Sequence, residues 1–138
     1  MRCDAASGTA YHFPVSYSLQ ILERPGYLHF VVTGINSREA VQQYLTEIGR
    51  TCAARGCKHI LIEERLEGPR LDTTDVFMIA SGQSANAART LAALAYVDVN
   101  AEGRLMQFAE DVAVNRAVPV KVFTTVAEAE RWLGELSK

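Results

Sequence analysis

The chain has 138 residues, 49% of them hydrophobic and 22% charged, with 14 Lys and Arg against 16 Asp and Glu. That is the composition of one ordinary globular domain, and a chain this long buries roughly two-thirds of its unfolded surface without disulfides or a structural metal. The formal net charge of -2 removes the electrostatic argument for a nucleic-acid or anionic-membrane partner.

Residues 1–14 read as a loose N-terminal segment ahead of a single domain over residues 15–138. Asp4 and the absence of an apolar run behind Arg2 argue against a secretory signal, so a cytoplasmic location is expected. The longest uncharged stretch, residues 76–88, contains Ser81, Gln83, Ser84 and Asn86 and is too short and polar to span a membrane. Cys3, Cys52 and Cys57 lack the spacing of a zinc site or a disulfide framework and read as reduced thiols.

From residue 15 to residue 21, Val15, Tyr17, Leu19 and Ile21 alternate with polar residues, the period of a strand with one wet face. Pro25-Gly26 turns the chain, and the aromatic and β-branched run at residues 27–33 completes an antiparallel hairpin. Asn36, with Glu39 three positions on, predicts a helix start. Val41, Tyr44, Leu45, Ile48 and Cys52 then form one stripe that ends at Gly56. Residues 59–62 form a short apolar strand covered on both faces, followed by a polar loop over residues 63–70.

Asp72-Thr73-Thr74-Asp75 supplies caps and an acidic first turn for a second helix, Ala-rich in its later part and interrupted at Gly82. Residues 91–97 predict a strand and residues 101–116 a third helix, with Leu105, Ala109, Val112 and Ala113 facing inward. Residues 118–123 form the last strand. The capping box Thr125-Val126-Ala127-Glu128 opens a final helix with Ala129, Trp132, Leu133 and Leu136 on its stripe. This order predicts an α/β fold: a mostly parallel five-stranded sheet, an antiparallel edge hairpin and four helices.

No glycine-rich phosphate loop is present, and Gly82-Gln83-Ser84-Ala85-Asn86 lacks the second glycine of a nucleophile elbow. His29 and His59 lie in or beside strands, where histidines are usually structural. Glu63, Glu64, Asp72 and Asp75 gather near the end of the third strand and could hold magnesium. A solvated loop and helix capping account for the same four residues, so no metal and no cofactor is expected. No motif identifies a reaction.

The passage from Ile60-Leu61-Ile62 to Asp72-Thr73-Thr74-Asp75 resembles the STAS domain of anti-sigma factor antagonists, whose corresponding turn reads Asp-Ser-Ser-Gly. The C-terminal stretch from Phe108 to Phe123, with the ending Ala129-Glu130-Arg131-Trp132-Leu133, is similar to the SpoIIAA-like family of small bacterial domains, grouped with STAS and CRAL-TRIO lipid-binding folds. The resemblance implies a non-enzymatic regulatory or protein-interaction module docking at residues 71–75. In the antagonists the first serine of the turn is phosphorylated, a role that falls here on Thr73, with Thr74 beside it and Asp75 in the place of the glycine. A phosphate at a helix N-terminus meets unpaired N–H groups, and Arg65 or Arg70 would pair with it.

The alternative is a small-molecule or lipid-binding domain with an apolar pocket between sheet and helices, lined by Phe77, Ile79 and Tyr96. The partner is accordingly an unidentified protein or a small apolar ligand. The hairpin edge and the Ala-rich segment at residues 85–95 offer surfaces for pairing into a homodimer.

Overall fold

The protein is described by a computed structural model that places residues 17–100 and 103–136. The N-terminal segment, the start of the first strand before Tyr17 and the first residues expected in the third helix lie outside the described residues. Five strands form one sheet in the order β1-β2-β3-β4-β5. They are β1 (Tyr17–Arg24), β2 (Tyr27–Ile35), β3 (His59–Glu67), β4 (Ala93–Asp98) and β5 (Val120–Phe123). The β1-β2 pair is antiparallel and every other pair is parallel. The helices are α1 (Arg38–Arg55), α2 (Thr73–Thr90), α3 (Gly103–Val114) and α4 (Val126–Leu136).

Proline confines φ to about −65°, and Gly26 next to it has φ 87°, the combination that a type II turn requires between β1 and β2. Because the parallel strands lie side by side in chain order, each right-handed crossover lands on the same face. Helices α1, α2 and α3 therefore share one side, and α4, which follows the last strand, packs on the other against β3, β4 and β5. Among the described residues, no helix is long and apolar enough to cross a membrane.

Local signals explain most of the boundaries. Asp72 caps α2 by accepting from the Asp75 N–H at 2.8 Å, and Thr125 caps α4 through the Glu128 N–H at 3.2 Å. Gly56, at φ 65°, ends α1 and donates its N–H to the Cys52 carbonyl. Three expectations are corrected. The N-cap of α1 is Ser37, whose hydroxyl accepts from the Ala40 N–H at 3.0 Å; Asn36 instead bonds across to β3, its N–H to the Glu67 carbonyl at 2.7 Å.

The polar loop expected from residue 63 onward is strand as far as Glu67, because parallel pairing with β2 carries it on to Ile35↔Glu67. Helix α2 passes through Gly82 unbroken, and this glycine is exposed, so its missing side chain removes no packing.

The main core lies under α1, where Phe30, Val32, Tyr44, Ile60, Ile62 and Leu66 are buried. A second core lies under α4, built from Leu61, Ala93, Ala95, Val97, Ala129 and Leu133. Ala93 and Ala95 are therefore enclosed within the fold, which takes that part of the Ala-rich segment out of any pairing surface.

Candidate functional site

Alternation along β3 sends Ile60, Ile62, Glu64 and Leu66 to the α1–α3 face and Leu61 and Glu63 to the other. Glu64 is thus carried into the main core, with 3% of its surface exposed. Tyr44 of α1 donates its hydroxyl to Glu64 Oε2 at 2.6 Å, and Tyr96 of β4 donates to the same oxygen. The two phenol oxygens also touch each other. Three oxygens in mutual contact need three protons to satisfy every contact, and the phenols supply only two. A proton on the Glu64 carboxyl completes the ring, the carboxyl donating to one phenol, that phenol turning to donate to the other, and the second donating back to Oε2.

Electrostatics points the same way. Burial, aided by the Asp98 charge, raises the Glu64 carboxyl to about 7 against the tyrosine hydrogen bonds and the Arg70 charge that oppose the shift. Tyr44 and Tyr96 are raised well above the usual phenol range, first by burial and then by Glu64, so both remain protonated donors. Next to the cluster, Arg70 donates to the carbonyls of Leu66 at 2.8 Å and Gly68 at 3.1 Å. Its other terminal nitrogen lies 3.8 Å from Asp98.

This cluster borders a cavity of about 180 Å³ between the sheet and the three helices. The wall is mostly hydrocarbon, including Val41, Ile79, Leu105, Met106 and Val120. Its origin is in how α2 sits. Of the 18 residues in α2 only Ile79 and Ser84 are buried, and the helix makes its main contacts with α1 and α3 and not with the strands. Small side chains at Ala80, Ala87, Ala109 and Ala113 face the gap.

The residues singled out from sequence divide sharply. Ile79 and Tyr96 line the cavity, whereas Phe77 does not. Phe77 sits one step off the inward stripe of α2, is 42% exposed, and carries the Arg116 guanidinium 5.5 Å from its ring centre. Thr73 and Thr74 are exposed in the first turn of α2, between the cap Asp72 and Asp75. The cation near that turn is Arg38, 3.5 Å from Asp75. Arg65 points to the opposite face and pairs with Glu63 at 2.6 Å, while Arg70 lines the cavity.

The four-carboxylate cluster does not form, since Glu63 and Glu64 face opposite sides of the sheet and Asp72 is used as a cap. Among the described residues, no group of His, Cys, Asp or Glu is arranged to hold a metal ion. Sequence reading missed Tyr44 and Glu64 as a pair. The signal was the even-numbered series Ile60, Ile62, Glu64, Leu66, which places a carboxylate in a core register.

The far side of β3 holds a different arrangement. The Glu63 carboxylate lies 2.8 Å from His29 Nε2 and 2.6 Å from Arg65. His29 is 4% exposed, and its Nδ1 has no partner among the described residues.

Fold and cavity together define an α/β domain with a buried carboxyl-phenol cluster at the end of an apolar chamber. The chain has a SpoIIAA-like fold. It is similar to a crystal structure of an uncharacterised protein of the DUF3478 family, with a SpoIIAA-like fold, from Shewanella loihica PV-4. The TM-score is 0.52 at 17% identity, covering 91% of this chain and 99% of that one. No family model matches the chain, and no curated protein matches it in sequence.

Proposed function

We propose that this chain is a small-molecule-binding domain whose ligand occupies the cavity between the sheet and α1, α2 and α3. The observation that carries the reading is a cavity of about 180 Å³ with hydrocarbon walls and a buried polar cluster at its edge. Largely apolar chambers with a few placed polar groups are the usual form of a ligand site. Apolar cavities of about 150 Å³ accept a molecule the size of benzene, so the ligand is a single ring or a short chain.

Ethylbenzene is a suitable probe. Saturating the protein with it should raise the melting temperature, since about a hundredfold excess over Kd adds about 2.7 kcal/mol to stability. The variant Ala109→Leu, which fills the space, should abolish that rise. An unchanged melting temperature in the original protein would refute the reading.

A second reading, a regulatory module docking through Asp72 to Asp75, is supported by the exposure of Thr73 and Thr74 and by Arg38 beside that turn. Intact mass measurement on protein purified from its own cells tests it. A phosphate adduct mapped to Thr73 or Thr74 is the expected result, and an unmodified chain under all growth conditions counts against it.

A further inference from the structure

The polar end of the cavity offers acceptors that the chain does not use. Asn36 lines the cavity and is 8% exposed. Its Nδ2 donates to the Pro69 carbonyl at 2.8 Å, which fixes the orientation of the amide and leaves Oδ1 without a partner among the described residues. At Glu64 both phenols converge on Oε2, and among the described residues no donor is directed at Oε1. A buried acceptor without a donor, as at Asn36 Oδ1, is costly, so a group that supplies N–H or O–H bonds at this end is stabilising.

Charge narrows the choice further. The lining includes three carboxyl groups, Glu64, Asp98 and Glu110, and one cation, Arg70. Arg70 lies against Asp98, and Glu110 accepts the Val122 N–H at 2.7 Å. Glu64 is therefore the buried carboxyl with no cation in ion-pair contact among the described residues.

We propose that the cavity binds a small lipophilic primary amine, its ammonium group donating to Glu64 and its hydrocarbon body lying against Ile79, Leu105 and Met106. The assignment rests on the cavity being a ligand site, and it specifies the ligand's class. A primary ammonium carries three donors and no acceptor, matching a site whose open positions are acceptors. The Tyr96 ring, which lines the cavity, adds aromatic surface beside the charge. A carboxylate ligand would meet lone pairs at the same point with the Asp98 charge beside it, and an alcohol brings one neutral donor where the ammonium brings three.

Binding displaces a proton. The ring of Glu64, Tyr44 and Tyr96 is complete with the carboxyl protonated; with an ammonium at Oε1 the carboxyl is an anion and its proton passes to solvent. The groups that set this equilibrium are Tyr44 from α1, Tyr96 and Asp98 from β4, Arg70 from the segment after β3, and Glu110 from α3. An aliphatic amine stays charged up to about pH 10. Amine affinity should thus rise between about pH 6 and about pH 8, with proton release visible as a dependence of the calorimetric heat on buffer ionisation.

The test is calorimetric titration of the whole chain with four probes of one size: phenethylamine, phenethyl alcohol, hydrocinnamate and ethylbenzene. The amine should bind at least about tenfold more tightly than the alcohol, the margin of one charge-assisted hydrogen bond. Glu64→Gln should remove that margin while leaving ethylbenzene binding in place. If that variant does not fold, proton release by the original protein is the deciding measurement.

Equal or tighter binding of the alcohol or of hydrocinnamate overturns the amine assignment. Ethylbenzene binding with no preference among the polar probes overturns it too, while the cavity reading stands. Failure of all four overturns both.

Discussion

Glu63 and Glu64 are neighbours in one strand, yet the two faces of the sheet treat them in opposite ways. On the α4 face, Glu63 lies between His29 and Arg65, beside a core whose members Leu61, Ala95, Val97, Ala129 and Leu133 are at most 1% exposed. On the other face, Glu64 meets phenols instead of a cation and borders open space. The difference follows from the helices. Helix α4 brings Ala129 and Leu133 directly onto the strands, whereas α2 and α3 present alanines to a gap they do not fill. Close packing leaves no room for a ligand, and loose packing over a buried polar group creates it.

Core substitutions separate the faces most strongly. Leu133→Ala should cost about 2–5 kcal/mol, because a fully enclosed leucine leaves a cavity that dense surroundings cannot refill. Ile79→Ala, which widens space already present, should fall at or below the low end of that range. Urea unfolding of the two variants makes the comparison, and equal losses would mean that the α2 side is as tightly packed as the α4 side. Enlargement reverses the logic. Ala129→Leu should destabilise by about 1–3 kcal/mol through overpacking, while Ala109→Leu should be near neutral in stability and should block ethylbenzene.

Titration tests the buried face through Glu64. The folded protein keeps the Glu64 proton to about 7, against 4.5 for the ordinary carboxyl. Between those values the folded chain binds more protons than the unfolded one, so stability falls as pH rises and the loss is complete only above the folded value. From about pH 6 to about pH 8 this group should cost on the order of 1 kcal/mol. Denaturation midpoints measured across that range should decline, and Glu64→Gln should flatten the decline. A slope that survives the substitution would place the titrating group elsewhere.

The architecture was legible because it rests on local periodicity. Two-residue alternation at Tyr17, Leu19 and Ile21, the α1 stripe through Tyr44 and Ile48, and the caps at Asp72 and Thr125 all act over a few residues. The end of β3 was not legible, since Glu63-Glu64-Arg65 is polar on any local scale. It becomes strand because Glu64 finds phenols 20 and 32 positions away in the chain and because Leu66 reaches the core. The cavity was legible in outline, through Ile79 and Tyr96, but its extent and its polar end were not. Ala109 and Ala113 read as ordinary core and the alanines from residue 85 on as a pairing surface, and only the sparse contact of α2 with the strands turns Ala80, Ala87, Ala109 and Ala113 into a wall.

The smallest effects concern the two helix caps. Thr125→Ala removes the cap of a helix seated on a dense core, so its loss of about 1 kcal/mol should appear in global unfolding. Asp72→Ala removes a shorter bond, 2.8 Å against 3.2 Å at Thr125, yet the helix it caps has few buried contacts. Such a helix opens with a local free energy below that of the whole domain, so losing its cap lowers the local opening energy first. Amide hydrogen exchange should accelerate through the first turns of α2 in Asp72→Ala, with the denaturation midpoint little moved, whereas Thr125→Ala should shift the midpoint. If Asp72→Ala instead lowers the midpoint as much as Thr125→Ala does, α2 unfolds only with the rest of the chain, and a ligand must enter by another route than the opening of this helix.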